Sequence, residues 1–106
     1  FTYDRLLNNK DIRVLRYNNL HKPNYSYYPV VFKSESTLLK VKNHLEAKAI
    51  FPRRYFFPSL NTLPFIPYQS CPISEDISRR VICLPLYYEL TIAEVEMICN
   101  IVIENL

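Results

Sequence analysis

Apolar and polar positions change period several times along the chain, and each change marks an element. Leu38, Val41, Leu45 and Ala49 recur at helical spacing, which predicts a helix that Ser34 or Ser36 caps and that runs to about Lys48. Ile92, Val95, Cys99 and Val102, with Ile98 and Ile101 beside them, form a second such stripe and predict a helix to about Asn105. Its start is a capping box, Thr91-Ile92-Ala93-Glu94, in which Thr91 takes a backbone N–H and Glu94 reaches back. Another helix begins at Ser74, with Glu75 and Asp76 in its first turn and Arg79-Arg80 in its last, the charge order that the helix dipole favours. Residues 1–10 carry Phe1, Leu6 and Leu7 among polar neighbours and read as a short helix stopped by Asn8-Asn9.

Strand patterns fill the intervals. Residues 25–32, "YSYYPVVF", are aromatic and β-branched, with Pro29 assigning the strand to an edge or a bulge. Alternation points Tyr25, Tyr27 and Val31 one way and Tyr28, Val30 and Phe32 the other, so both faces are apolar and each needs cover. Residues 50–57 read as a second strand. Residues 81–87 read as a third, with Ile82, Leu84 and Leu86 on one face and Pro85 marking an edge. Residues 12–15 fit a further short strand. Pro58, Pro64, Pro67 and Pro72 break up the stretch before Ser74. The resulting order, (α)(β)βαβαβα, predicts one α+β domain over residues 1–106, with helices packed on a small, mostly antiparallel sheet.

Composition sharpens this picture mainly through an absence. The 106 residues include no glycine and 8 prolines, so proline must do the turning. Walker loops, dinucleotide fingerprints, nucleophile elbows and EF-hand loops all need glycine where the backbone turns at positive φ or meets a ligand, and none can be present. The net charge of +3, from 13 basic against 10 acidic residues, is too mild to imply nucleic acid. No apolar run is long enough for a membrane span and no leader pattern is visible, so a soluble, cytoplasmic protein is expected. Cys71, Cys83 and Cys99 form no C-x-x-C pair and are expected to be reduced and mostly buried. The chain starts at Phe1 inside a helix-like segment, and is therefore expected to be a piece of something longer.

Most candidate chemistry dissolves on inspection. His21 and His44 stand far apart without companion ligands, so they read as exposed and no metal is assigned. Glu94 and Glu96 do not face each other on a helix, and no serine carries a nucleophile motif. Residues 51–64, "FPRRYFFPSLNTLP", differ: two arginines, three Phe, one Tyr and an Asn lie together. That mixture suits gripping a phosphate while stacking on a flat ring, although the aromatics could equally be core or interface and the arginines a solvated face. An RNA recognition module has a loosely similar element order but needs glycine in its core motif.

"HKPNYSYYPVVF", "EAKAIFPRRYFFPSLNTLPF" and "CPISEDISRRVICLPLYYELT" carry a resemblance. From about His21 onward, in motif order and spacing, the chain resembles the C-terminal region of DegT/DnrJ/EryC1/StrS sugar aminotransferases. The resemblance implies a fold-type I pyridoxal-phosphate enzyme of which this chain is the small C-terminal domain, without the large N-terminal domain that supplies the Schiff-base lysine and most phosphate contacts. It implies a homodimer that moves an amino group, from glutamate, to a nucleotide-linked keto-sugar, and through "RRYFFPSLNTLP" a dTDP-4-keto-6-deoxyhexose. None of Lys10, Lys22, Lys33, Lys40, Lys42 or Lys48 has a context resembling the cofactor lysine's, so no catalytic or cofactor-binding residue is assigned here. Arg53, Tyr55 and Asn61 are the expected substrate-binding residues, with the facing of Arg53 against Arg54 open. Family members often have Gly where Ala49 stands and His where Asn61 stands, which removes titration at the latter position. The alternative is a stand-alone ligand-binding or protein-interaction module.

Overall fold

Three short segments with alternating apolar residues pair into one antiparallel sheet. In the computed structural model, which describes residues 2–106, these are β1 (Ile12–Val14), β2 (Tyr28–Phe32) and β3 (Val81–Leu84), ordered β1-β2-β3. Phe1, read above as part of the first helix, lies outside the described residues. The helices are α1 (Thr2–Leu6), α2 (Glu35–Ala47), α3 (Pro72–Arg80) and α4 (Ile92–Glu104). The α+β architecture is therefore as the pattern predicts.

Register explains where the core sits. Ile12 lies opposite Phe32, Val14 and Ile82 flank Val30, and Tyr28 meets Leu84. Residues directly opposite share a face, so these side chains form one apolar surface. Helices α1, α2 and α4 cover it with Tyr3, Leu38, Val41, Leu45, Val95, Ile98, Cys99 and Val102, joined by Leu7 just after α1. Leu38, Val41 and Leu45 are 0% exposed, and burying each such side chain contributes roughly 1.5–3 kcal/mol. Tyr3, absent from the apolar stripe read above, is buried and stacks on Tyr28 with ring centroids 4.7 Å apart. Each hydroxyl has a partner: Tyr3 donates to the Pro85 carbonyl at 2.8 Å and Tyr28 to Asp4 at 2.7 Å. Burial raises both phenols above their ordinary range, so both remain donors at neutral pH.

Caps follow the sequence closely. The Ser34 hydroxyl accepts the Thr37 N–H at 3.2 Å at the start of α2. Thr91 and Glu94 form the reciprocal capping box of α4, and the bonded Thr91 backbone holds the Glu94 carboxyl below its usual range. Ile92 is a correction: at 62% exposure it belongs outside the buried face. Helix α3 starts before Ser74, with Cys71 as N-cap and Pro72 in the first turn, where a missing N–H is harmless. Cys71 is exposed, so only Cys83 and Cys99 fit the expectation of buried thiols.

Strand limits are where the pattern misleads. β2 begins at Tyr28; Tyr25 adopts φ 57° and Tyr27 is exposed, so the apolar stretch is longer than the strand. β2 is also central rather than an edge. The N–H and C=O of Cys83, opposite Pro29, both bond to Arg53 on the far side, so Pro29's own nitrogen points towards β1. β1 ends at Val14, opposite Val30, and Pro29 therefore sits where no ladder bond is required. Residues 50–57 are not a strand: only Arg53 bridges to Cys83. The next bonded position along that bridge would set Phe51 against Pro85, which has no N–H to give. β3 likewise stops before Pro85.

Helix α2 ends without glycine in a motif that ordinarily uses it. Ala49 takes φ 59°, its N–H bonds Glu46 O at 2.9 Å, and Ile50 N–H bonds Leu45 O at 3.0 Å, the Schellman pattern. A side chain in the left-handed region costs about 1–2 kcal/mol. We expect Ala49→Gly to stabilise the chain by about 0.5–1 kcal/mol after glycine's unfolded-state entropy is deducted, readable as a higher urea midpoint at unchanged slope. A lower midpoint would show that the turn carries no such cost. Among the described residues, no helix is long and apolar enough to cross a membrane.

Candidate functional site

The sheet face opposite α1, α2 and α4 is only partly covered: Val81 and Cys83 are buried while Arg13 is exposed. The pairing register assigns Arg13, Pro29, Val31, Val81 and Cys83 to it. Arg53 lies directly opposite Cys83 in the bridge, so its side chain projects on this same face and is exposed. Tyr55, two residues on, begins a turn. Its ring meets Tyr27 edge to face at 5.7 Å and stacks on Phe56 at 5.1 Å, leaving Tyr55 39% exposed. The Tyr55 backbone also bonds the Cys83 thiol, which burial otherwise pushes up from its ordinary value.

Arg54 takes the opposite course. Its guanidinium lies 3.8 Å over the Phe57 ring, donates to the Arg79 carbonyl at 3.2 Å and stands 3.7 Å from Glu35. Its side chain is 18% exposed, and its Nε is buried without a partner. A cation over an aromatic face contributes about 0.5–2 kcal/mol depending on desolvation, which offsets the unsatisfied Nε. Arg53 is thus presented at the surface and Arg54 is packed. The second arginine pair repeats the division. Arg80 holds Asp76 through two bonds, 3.0 and 2.6 Å, and donates to the Phe32 carbonyl at 2.6 Å, whereas Arg79 is exposed.

Asn61 lies in a 3-10 turn, Leu60–Thr62, and its amide works inside that loop. Its oxygen accepts from Ser59 Oγ at 2.5 Å and its nitrogen donates to the Gln69 carbonyl at 2.7 Å. Ser59, buried, also bonds Ser74 Oγ of α3 at 2.6 Å, so the turn is tied to the helix. In the sequence Ser74 reads only as a helix start and Ser59 as a serine without a nucleophile motif, and the bond between them is not foreseen. The only available signal was their presence on either side of a proline-rich loop.

Pyridoxal phosphate needs a lysine shielded from water beside a phosphate cradle, and these residues do not provide one. Lys10, Lys22, Lys33, Lys40 and Lys48 are exposed, Lys33 pairs with Asp11, and Lys42 is taken by Glu46 at 2.5 Å. The α2 and α4 N-termini are capped by Ser34 and Thr91, and at the α3 N-terminus the Glu75 carboxylate accepts the Cys71 N–H at 3.1 Å. Both histidines are exposed, and among the described residues no group of three His, Cys, Asp or Glu side chains could hold a metal.

A model of the DegT/DnrJ/EryC1/StrS aminotransferase family matches residues 1–103. The chain belongs to that family. Among its relatives is a dTDP-4-amino-4,6-dideoxy-D-glucose transaminase of Shigella dysenteriae, 32% identical over 89 residues, which are 76% of this chain and 24% of the relative. A transaminase of the same name from Escherichia coli is 27% identical over 63% of this chain and 20% of its own length. The chain therefore spans about a quarter of the relatives it matches. Aminotransferase TlmJ of Streptoalloteichus hindustanus has the same fold, with a TM-score of 0.83 at 19% identity over 98% of this chain and 28% of TlmJ. Helicobacter pylori PseC, an aminotransferase of pseudoaminic acid biosynthesis, superposes with a TM-score of 0.77 at 21% identity, over 98% of this chain and 30% of its own. The family's fold thus accommodates a sequence with no glycine.

Proposed function

We propose that this chain is the small C-terminal domain of a pyridoxal-phosphate-dependent aminotransferase that aminates a nucleotide-linked keto-sugar of the dTDP-4-keto-6-deoxyhexose class, with glutamate as donor. The observation that carries this reading is the 32% identity, over 76% of the chain, to a dTDP-4-amino-4,6-dideoxy-D-glucose transaminase. The large domain of the complete protein supplies the lysine and the phosphate cradle, and two copies assemble around the active sites. This chain alone transfers no amino group, because its lysines face water or, at Lys42, are held by Glu46.

Within that reading, Arg53 and Tyr55 border the substrate. An exposed guanidinium is suited to a diphosphate, since it donates in a planar fork. Tyr55 and its aromatic neighbours provide a flat wall for a ring. Asn61 contributes from the adjoining turn, through whatever amide capacity its two loop bonds leave.

In the complete enzyme, Arg53→Ala is expected to raise KM for the nucleotide sugar about tenfold or more while leaving KM for glutamate unchanged, the loss of a charge-assisted bond. Equal effects on both substrates, or none, would remove Arg53 from the site. Failure of the wild-type enzyme to aminate any nucleotide-linked keto-sugar would overturn the functional reading itself.

A further inference from the structure

We infer that Arg54 is a positioning residue, whose clamped guanidinium holds the neighbouring Arg53 and Tyr55 in their outward pose. This rests on the proposed role of those two side chains in binding a nucleotide sugar. Besides Arg54, the segment carrying them is held by the buried Pro52 and by a Tyr55 backbone bond to the Cys83 thiol. It is not a strand, and its regular pairing with the sheet is confined to the Arg53–Cys83 bridge. Flanking prolines at 52 and 58 remove two further backbone donors.

Arg54 provides what pairing does not. Its head group touches three separate pieces of the domain: Glu35 in the first turn of α2, the Arg79 carbonyl in the last turn of α3, and the Phe57 ring within its own segment. Fixing residue 54 inward while the bridge fixes residue 53 anchors the backbone immediately before the turn at residues 55–56, and so limits the directions open to the Tyr55 ring. The Tyr27–Tyr55 ring pair then forms on the open face. Arg54 needs no substrate contact to act in this way.

The chemistry also distinguishes arginine from lysine here. A planar guanidinium can lie flat on Phe57 while an Nη donates to a carbonyl at its edge; an ammonium has no plane to stack and no second donor at that offset. Charge alone is therefore insufficient. Arg80 plays the corresponding part in the other pair, tying α3 to the end of β2 through the Phe32 carbonyl and leaving Arg79 exposed.

The test is Arg54→Lys, with Phe57→Leu as a second way to release the clamp. In the complete enzyme, each should raise KM for the nucleotide sugar about tenfold while kcat and KM for glutamate stay within about twofold, because the pose is lost and the chemistry is not. In the present chain, proton NMR should show the Tyr27–Tyr55 ring contacts disappear in Arg54→Lys while the β2–β3 cross-strand contacts persist. Retention of the ring contacts, wild-type KM in Arg54→Lys, or a parallel change in both KM values and kcat would each overturn the inference. If the contacts disappear but the wild-type enzyme aminates no nucleotide sugar, the positioning role stands and the functional reading fails.

Discussion

Mixed with pyridoxal phosphate and then dialysed, the purified chain is expected to lose the cofactor completely and show no residual imine band. An imine survives dialysis only when a lysine is held against the aldehyde and the phosphate is gripped elsewhere, so that momentary hydrolysis does not release the cofactor. Here the lysines stand at the surface, and Lys33 and Lys42 are engaged by Asp11 and Glu46. The visible spectrum after dialysis measures this directly. A retained, stoichiometric band near the imine absorption, or amino transfer to a keto-sugar nucleotide, would place the chemistry in this chain and refute the division of labour proposed above.

Phe32→Ala is expected to cost about 3–5 kcal/mol, a large part of the 5–15 kcal/mol that holds a domain of this size folded. Phe32 is 1% exposed and sits on the helix-covered face opposite Ile12. It also ends β2 where Arg80 grips its carbonyl, so the strand has little freedom to collapse into the space left behind. Val31, one residue earlier, projects from the other face and is only half-buried. Val31→Ala should therefore cost about 1 kcal/mol or less. Urea titrations of the two variants decide the matter, and equal losses would mean that the two faces are not distinguished as described.

Much of this architecture was legible because it is local. The Leu38–Val41–Leu45 stripe, the Ser34 cap and the Thr91–Glu94 box are written within a few residues of where they act, and the structure has each of them. Strand extent was not local. Residues 50–57 are rich in aromatic residues that suit a strand, but whether they pair depends on Pro85, more than thirty positions from Phe51, which has no donor to offer it. Pro29 shows the converse, since its place in a central strand becomes intelligible only once the end of β1 is known. For the candidate site, composition identified the segment but not its facing. Arg53 and Arg54 are chemically identical in the sequence, and what separates them is a ring at Phe57 and a carbonyl at Arg79. Ser59 and Ser74 meet across fifteen positions, a juxtaposition that no local pattern encodes.

The prolines at the margins of the sheet also bear on aggregation. An unpaired strand with free donors is a template on which a second chain can grow. In this sheet the open position beside β2 is Pro29, the open continuation of β3 is Pro85, and β1 is only three residues long. A foreign strand approaching any of these margins would find donors missing or too few positions to register against. The folded domain is thus guarded against strand-by-strand accretion, and any tendency of the isolated chain to clump should trace to sticky aromatic side chains such as Tyr27, Phe56 and Tyr88 rather than to backbone templating. Mild detergent would then disperse the clumps, and they would not bind dyes specific for cross-β order.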